Sequence, residues 1–166
     1  RAEAALAWPE FGDAESLYKQ GVQMSFEENG LSASEVDTYL ANGKKPVAVT
    51  INGYSAPVPT QATTEFSGNN EEKLEKIMIQ KWIALYPNGQ EAWTEWRRTG
   101  YPKLNEVQNN RGAGQGITKE KGIRRMVYPI SFSQSAEDKA NYDDAVSKLK
   151  DKMDKATSRL WWDTRN

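Results

Sequence analysis

Glu91 and Glu95 stand four residues apart beside Trp93 and Trp96, and a carboxylate pair near aromatic walls is the equipment of glycoside hydrolysis. Residues four apart share one helix face, whereas an acid and a nucleophile must flank the sugar from two sides. Glu91 and Glu95 are therefore expected to be partners of Arg98 or of lysines, not a catalytic pair. The second constellation is Asn52-Gly53-Tyr54. It joins an amide to an aromatic ring at a turn, outside any helical face, and side chains on such loops commonly contact ligands. Asn52 and Tyr54 are the candidate ligand-binding residues. No catalytic or metal-ligating residue is assigned, and no cofactor is expected.

Two further patterns carry less. Arg111-Gly112-Ala113-Gly114-Gln115-Gly116 is not followed by Gly-Lys-Ser/Thr, so it is no phosphate loop. Ile117 also stands where a dinucleotide fingerprint needs its third glycine, and a mobile surface loop is expected instead. Arg97-Arg98 and Arg124-Arg125 each close an element, where arginine can anchor carbonyls or a carboxylate. With 22 Lys+Arg against 23 Asp+Glu there is no basic excess to neutralise phosphates, which excludes nucleic acid as a partner. The absence of Cys and His removes disulfides, thiolate and imidazole metal sites and imidazole-based triads. No apolar run approaches the roughly 20 residues of a membrane-spanning helix.

These groups must be positioned by helices for the most part. Residues 1–8 form helix from the outset, so the chain is expected to begin inside a helix of a longer protein whose targeting sequence lies upstream. Asp13 is placed to cap a helix with Leu17, Tyr18, Val22 and Phe26 on one face, and Gly30 to stop it. Ser32 and Glu35 have the spacing of a capping box before Val36, Tyr39 and Leu40. Residues 46–70 read as an extended excursion, with Val47, Val49 and Ile51 in a short strand and Asn52-Gly53 as its turn.

Residues 71–98 read as an antiparallel helical hairpin. Its first helix carries Leu74, Ile77, Met78, Trp82 and Leu85 on one face and Ile79, Ile83 and Tyr86 on a second, the pattern of a central helix. Trp82, Trp93 and Trp96 are expected in the core. Residues 99–135 are irregular apart from a short strand at 123–130 broken by Pro129. Residues 136–154 form a charged helix with Tyr142, Ala145, Val146, Leu149 and Met153 inward, and Trp161-Trp162 is expected to pack the tail down. The fold class is thus mainly α, with helical hairpins, irregular loops and minor short strands, in a single region covering residues 1–166.

One stretch also carries a family resemblance. Residues 79–93, from Ile79-Gln80-Lys81-Trp82 through Tyr86-Pro87-Asn88-Gly89 to Ala92-Trp93, are followed directly by Trp96-Arg97-Arg98-Thr99-Gly100-Tyr101-Pro102-Lys103-Leu104. Together they resemble the signature of SusD-like (RagB/SusD) proteins. Arg1-Ala2-Glu3-Ala4-Ala5-Leu6, Tyr18-Lys19-Gln20-Gly21-Val22, Arg124-Arg125-Met126-Val127-Tyr128-Pro129 and Leu160-Trp161-Trp162-Asp163 agree in order, so the resemblance spans nearly the whole chain.

What the resemblance implies is the C-terminal part of an outer-membrane nutrient-binding lipoprotein of Bacteroidota-type bacteria. Its hairpins would be tetratricopeptide-like, its partners a SusC-like TonB-dependent transporter and a glycan or other nutrient, and its contact with membrane a lipid anchor upstream of this chain. The Trp, Arg and Gly-Tyr-Pro positions of the motif fit packing, anchoring and a helix stop better than recognition. Two rival functions stay open: a carboxylate-pair glycoside hydrolase, and a helical scaffold for protein partners.

Overall fold

The computed structural model describes every residue except Glu106, Gln108, Lys119, Glu120 and Asn166. The chain divides into two compact units, Arg1–Asn105 and Glu106–Asn166. The expected mainly α architecture with helical hairpins and a minor sheet is what the structure shows.

The first unit contains α1 (Ala2–Ala7), α2 (Ala14–Glu28), α3 (Ser34–Leu40), α4 (Asn70–Ala84) and α5 (Gly89–Thr99), with a two-stranded sheet between α3 and α4. Local chemistry sets the ends. Asp13 accepts the Ser16 N–H at 2.7 Å to open α2, and this hydrogen bonding holds its carboxyl below the usual range. At the other end Gly30, at φ 73°, donates to the Glu27 carbonyl while Leu31 donates to that of Phe26, which satisfies carbonyls the helix itself leaves open.

The expected capping box at Ser32 forms only by half. Glu35 accepts the Ser32 N–H, but the Ser32 hydroxyl turns to Ser34 instead. A complete box stands instead at the start of α4. Asn69 accepts the Glu72 N–H at 3.0 Å and Glu72 accepts the Asn69 N–H at 2.7 Å, so α4 begins on two reciprocal bonds. Gly68 makes room for them. Its φ is 99°, and a Cβ there would lie 2.4 Å from Glu72 Oε2.

The core of this unit gathers Ala2, Tyr18, Val22, Val36, Ile77, Met78 and Tyr101, with Leu17, Phe26 and Phe66 packed against it. Tyr18 donates its hydroxyl to the Thr64 carbonyl at 2.8 Å and stacks at 4.9 Å from Phe66. Burial first, then Tyr39, pushes its phenol well above the ordinary range. Tyr101 Oη to Glu71 at 2.9 Å and Lys81 to Glu95 at 3.2 Å pair the ends and middles of α4 and the segment that returns, so the hairpin is antiparallel.

The three tryptophans expected in this core are only half-buried. On α4 the buried residues are consecutive, Lys76, Ile77 and Met78, so the helix is enclosed around one turn of its middle rather than along a stripe. It then emerges from cover: Ile83 is 54% and Tyr86 88% exposed, so the second apolar face is open beyond the half-buried Ile79. Lys76 is buried without an unmet donor, its ammonium bonding the Glu65 and Ser67 carbonyls and the Ser67 hydroxyl at 2.7–3.0 Å.

In the second unit the regular element is α6 (Ala136–Ser147), opened by Ser135, which accepts the Asp138 N–H at 3.0 Å. It is shorter than the expected 136–154. Past Ser147 the chain makes tight turns, Lys152 sits at φ 54°, and Met153 is exposed rather than inward. No strand forms at 123–130. The N–H groups of Arg124 and Arg125 converge on one acceptor, the Ala156 carbonyl, and such convergence cannot start a ladder; after Pro129 the chain winds into a 3-10 turn. The tail is secured by charge rather than by its aromatic pair. Trp161 is 88% exposed and Trp162 half-buried, while Asp163 is buried, 3.2 Å from Arg124 and 3.1 Å from Arg159.

Candidate functional site

The excursion after α3 holds, beyond the single strand expected, a hairpin of β1 (Val49–Ile51) with β2 (Tyr54–Ala56), antiparallel in the register Val49↔Ala56, Thr50↔Ser55, Ile51↔Tyr54, with Val47 outside the strand. Asn52 at φ 50° and Gly53 at φ 80° both occupy the left-handed region, the conformation of a type I′ turn, whose twist matches that of the strands it joins. The register puts Val49, Ile51, Tyr54 and Ala56 on one face of the ribbon. Tyr54 is half-buried against this row, Ile51 opposite it is 64% exposed, and Asn52 stands exposed at the tip. The two candidate residues are thus adjacent, an amide beside an aromatic and aliphatic surface.

The far half of the excursion is pinned to the unit's core. Thr64 donates its hydroxyl to the Tyr39 carbonyl at 2.7 Å, and Thr60 donates to Glu75 at 2.6 Å. The hairpin therefore stands on a fixed base.

Glu95 is engaged by Arg98 at 2.6 Å and Lys81 at 3.2 Å, and Arg98 also grips Glu3 with two bonds of 2.7 Å. This network joins α1, α4 and α5. Burial alone would raise the Glu95 carboxyl, but the hydrogen bonds and charges of Arg98 and Lys81 outweigh it and hold the group below the ordinary range. A carboxylate bound this way stays ionised at neutral pH and is a poor proton donor. Its contribution to stability is present above the ordinary Glu range and is lost as pH falls through the lowered value. Glu91 is exposed, its own N–H bonded to Asn88. Trp93 is likewise occupied, lying under the buried Arg97 guanidinium at 3.7 Å from the ring centroid.

A cavity of about 580 Å³ opens in the second unit, and the sequence reading did not anticipate it. Gly114, Gln115 and Gly116 form part of its wall, so the glycine run is a shaped turn, 3-10 over Ala113–Gln115 and closed by Gly116 at φ 76°. Tyr128 and Tyr142 meet edge to face at 5.9 Å in the same wall. Asp154 organises them: it accepts the Tyr128 N–H at 3.2 Å, the Tyr142 hydroxyl at 3.3 Å and the Arg125 guanidinium, which itself lies 4.5 Å from the Tyr128 ring centroid. Burial, then the Asp154 charge, pushes the Tyr142 phenol up, so it remains a donor. The inward position of Tyr142 on α6 was legible in sequence. Its meeting with Arg125 and Tyr128 has no local signature, since Asp154 bridges them from outside any regular element.

A family model described as SusD-like, Susd and RagB outer membrane lipoprotein, matches residues 1–163. The chain belongs to the SusD-like family. Solved relatives of this SusD-like chain include a SusD homologue from Bacteroides thetaiotaomicron VPI-5482, 36% identical with a TM-score of 0.87, covering 99% of this chain and 36% of that one. A homologue from Bacteroides uniformis is 34% identical with a TM-score of 0.88, covering 99% and 35%. A chitin-binding SusD homologue from Flavobacterium johnsoniae is 38% identical with a TM-score of 0.82, covering 99% and 34%. The SusD-like chain thus spans about a third of the length of these structures. Among curated proteins, none matches it significantly. Among its described residues no helix is long and apolar enough to cross a membrane.

Proposed function

We propose that this chain is part of a non-catalytic surface protein that captures a glycan or similar oligomeric nutrient and passes it to a SusC-like TonB-dependent transporter. The observation that carries the reading is the family match over residues 1–163, joined to a chitin-binding homologue that is 38% identical over 99% of the chain. In this reading the full-length protein is held at the outer-membrane surface by a lipid anchor upstream of Arg1. Ligand is contacted by the hairpin tip, with Tyr54 as a stacking surface flanked by Ile51 and Asn52 as the hydrogen-bonding amide. The bound state of Glu95 and the exposure of Glu91 support binding over hydrolysis.

The experiment is calorimetry of the full-length protein with a panel of oligosaccharides that includes chito-oligosaccharides, paired with chromatography of the recovered ligand. Tyr54→Ala is expected to weaken binding at least several-fold while changing stability by no more than about 1 kcal/mol, since Tyr54 is only partly buried on a two-stranded hairpin outside the core cluster. The ligand should be recovered intact. Protein-dependent cleavage would replace this reading with a hydrolase, and unchanged affinity in Tyr54→Ala would move the contact away from the hairpin.

A further inference from the structure

The cavity of the second unit has a lining that its internal bonds do not use up. Asp154 is the acidic group among the lining residues, and its carboxylate is already engaged by Arg125, the Tyr128 N–H and the Tyr142 hydroxyl. Lys121 and Lys155 also line the space, and neither ammonium makes an ion pair or hydrogen bond among the described residues. The same holds for the Gln115 amide and the Thr157 hydroxyl. One wall is apolar or aromatic, with Val127, Tyr128, Pro129 and Ile130. The volume, about 580 Å³, falls within the roughly 300–1,000 Å³ of small-molecule sites.

Charge decides the ligand class. With Asp154 neutralised by Arg125, the lining keeps two unpaired cations and no unpaired anion, so an acidic ring gains charge-assisted contacts there that a neutral ring does not. The amide and hydroxyl suit ring hydroxyls, and the aromatic wall suits the apolar face of a sugar. We propose that this cavity is a second saccharide site, separate from the hairpin, that takes a sugar bearing a carboxylate or sulfate group. Lys121 and Lys155 hold the acidic group, Gln115 and Thr157 bond hydroxyls, and Asp154 acts at one remove by fixing Tyr128 and Tyr142. This inference rests on the reading of the protein as a saccharide binder.

The test uses the full-length protein and three probes: trigalacturonate, a sulfated chondroitin disaccharide, and neutral chitotriose. At least one acidic probe is expected to bind, to bind less tightly as salt is raised, and to protect Lys121 and Lys155 from acetylation. K121Q/K155Q should weaken that binding at least tenfold, and K121R/K155R should keep it within about threefold because the charge remains. Both lysines are exposed, so the variants should melt with the parent. Acidic binding that survives K121Q/K155Q, or that leaves both lysines open to acetylation, overturns the site. If chitotriose binds and neither acidic probe does, this inference falls and saccharide binding stands; if no saccharide in either experiment binds, both fall.

Discussion

Asp163→Ala is expected to lower stability by about 3–5 kcal/mol, because it removes the buried carboxylate of the salt bridge with the buried Arg124 guanidinium. Arg124 also donates to the Lys121 carbonyl at 2.7 Å, and its backbone N–H to that of Ala156, so it is held in place and cannot swing out to water. Arg159 loses its 3.1 Å contact in the same substitution, but it is nearer the surface and its share is smaller. Urea unfolding followed by circular dichroism reads the loss. The double variant R124M/D163L should recover most of it, since removing both charges from a buried pair costs far less than removing one. A loss below about 1 kcal/mol in Asp163→Ala, the range of exposed sites, would mean that the tail is not anchored by this pair.

Met78→Ala is expected to cost about 2–5 kcal/mol, as an apolar side chain 2% exposed is deleted from the packed middle of α4. Trp82→Ala should cost less than the roughly 3–5 kcal/mol that a fully buried tryptophan loses, because Trp82 is only partly buried and lies outside the core cluster. The order of the two variants is the test. If Trp82→Ala proves the more damaging, the stripe from Leu74 to Leu85 is the buried face after all, and the enclosure of α4 around Lys76–Met78 is wrong.

These expectations separate what the two units depend on. In the first, α1, α2, α3 and α4 share an apolar cluster, and the Glu3–Arg98–Glu95–Lys81 network ties α1, α4 and α5. The second has one α-helix among its described residues, and its irregular chain is held by side-chain bonds: Arg124–Asp163, Arg125–Asp154, and Ser158, which donates to the Met153 carbonyl at 2.6 Å and to Asp151 at 2.9 Å. Buried polar anchors of this kind replace apolar area where turns leave many backbone groups to satisfy.

The sequence by itself determined the features governed by near neighbours. Asp13 as a cap, Gly30 and Gly100 as stops and Asn52-Gly53 as a turn follow from bonds and φ angles within a few residues, and each stands at the expected position. The same holds for the reading of Glu95 as a partner of Arg98. Periodicity, in contrast, shows that a helix has an apolar side but not how far along its length a neighbour covers it. Only the tertiary structure therefore decided that Met78 is core, Trp82 only partly buried and Tyr86 open. It decided likewise that the tail is held by Asp163 rather than Trp161, and that Tyr128, Tyr142 and Asp154 line one cavity. Arg124 lies 39 residues from Asp163 and Arg125 29 from Asp154, and pairs at such separations are selected by the geometry of the folded chain, which no local spacing encodes.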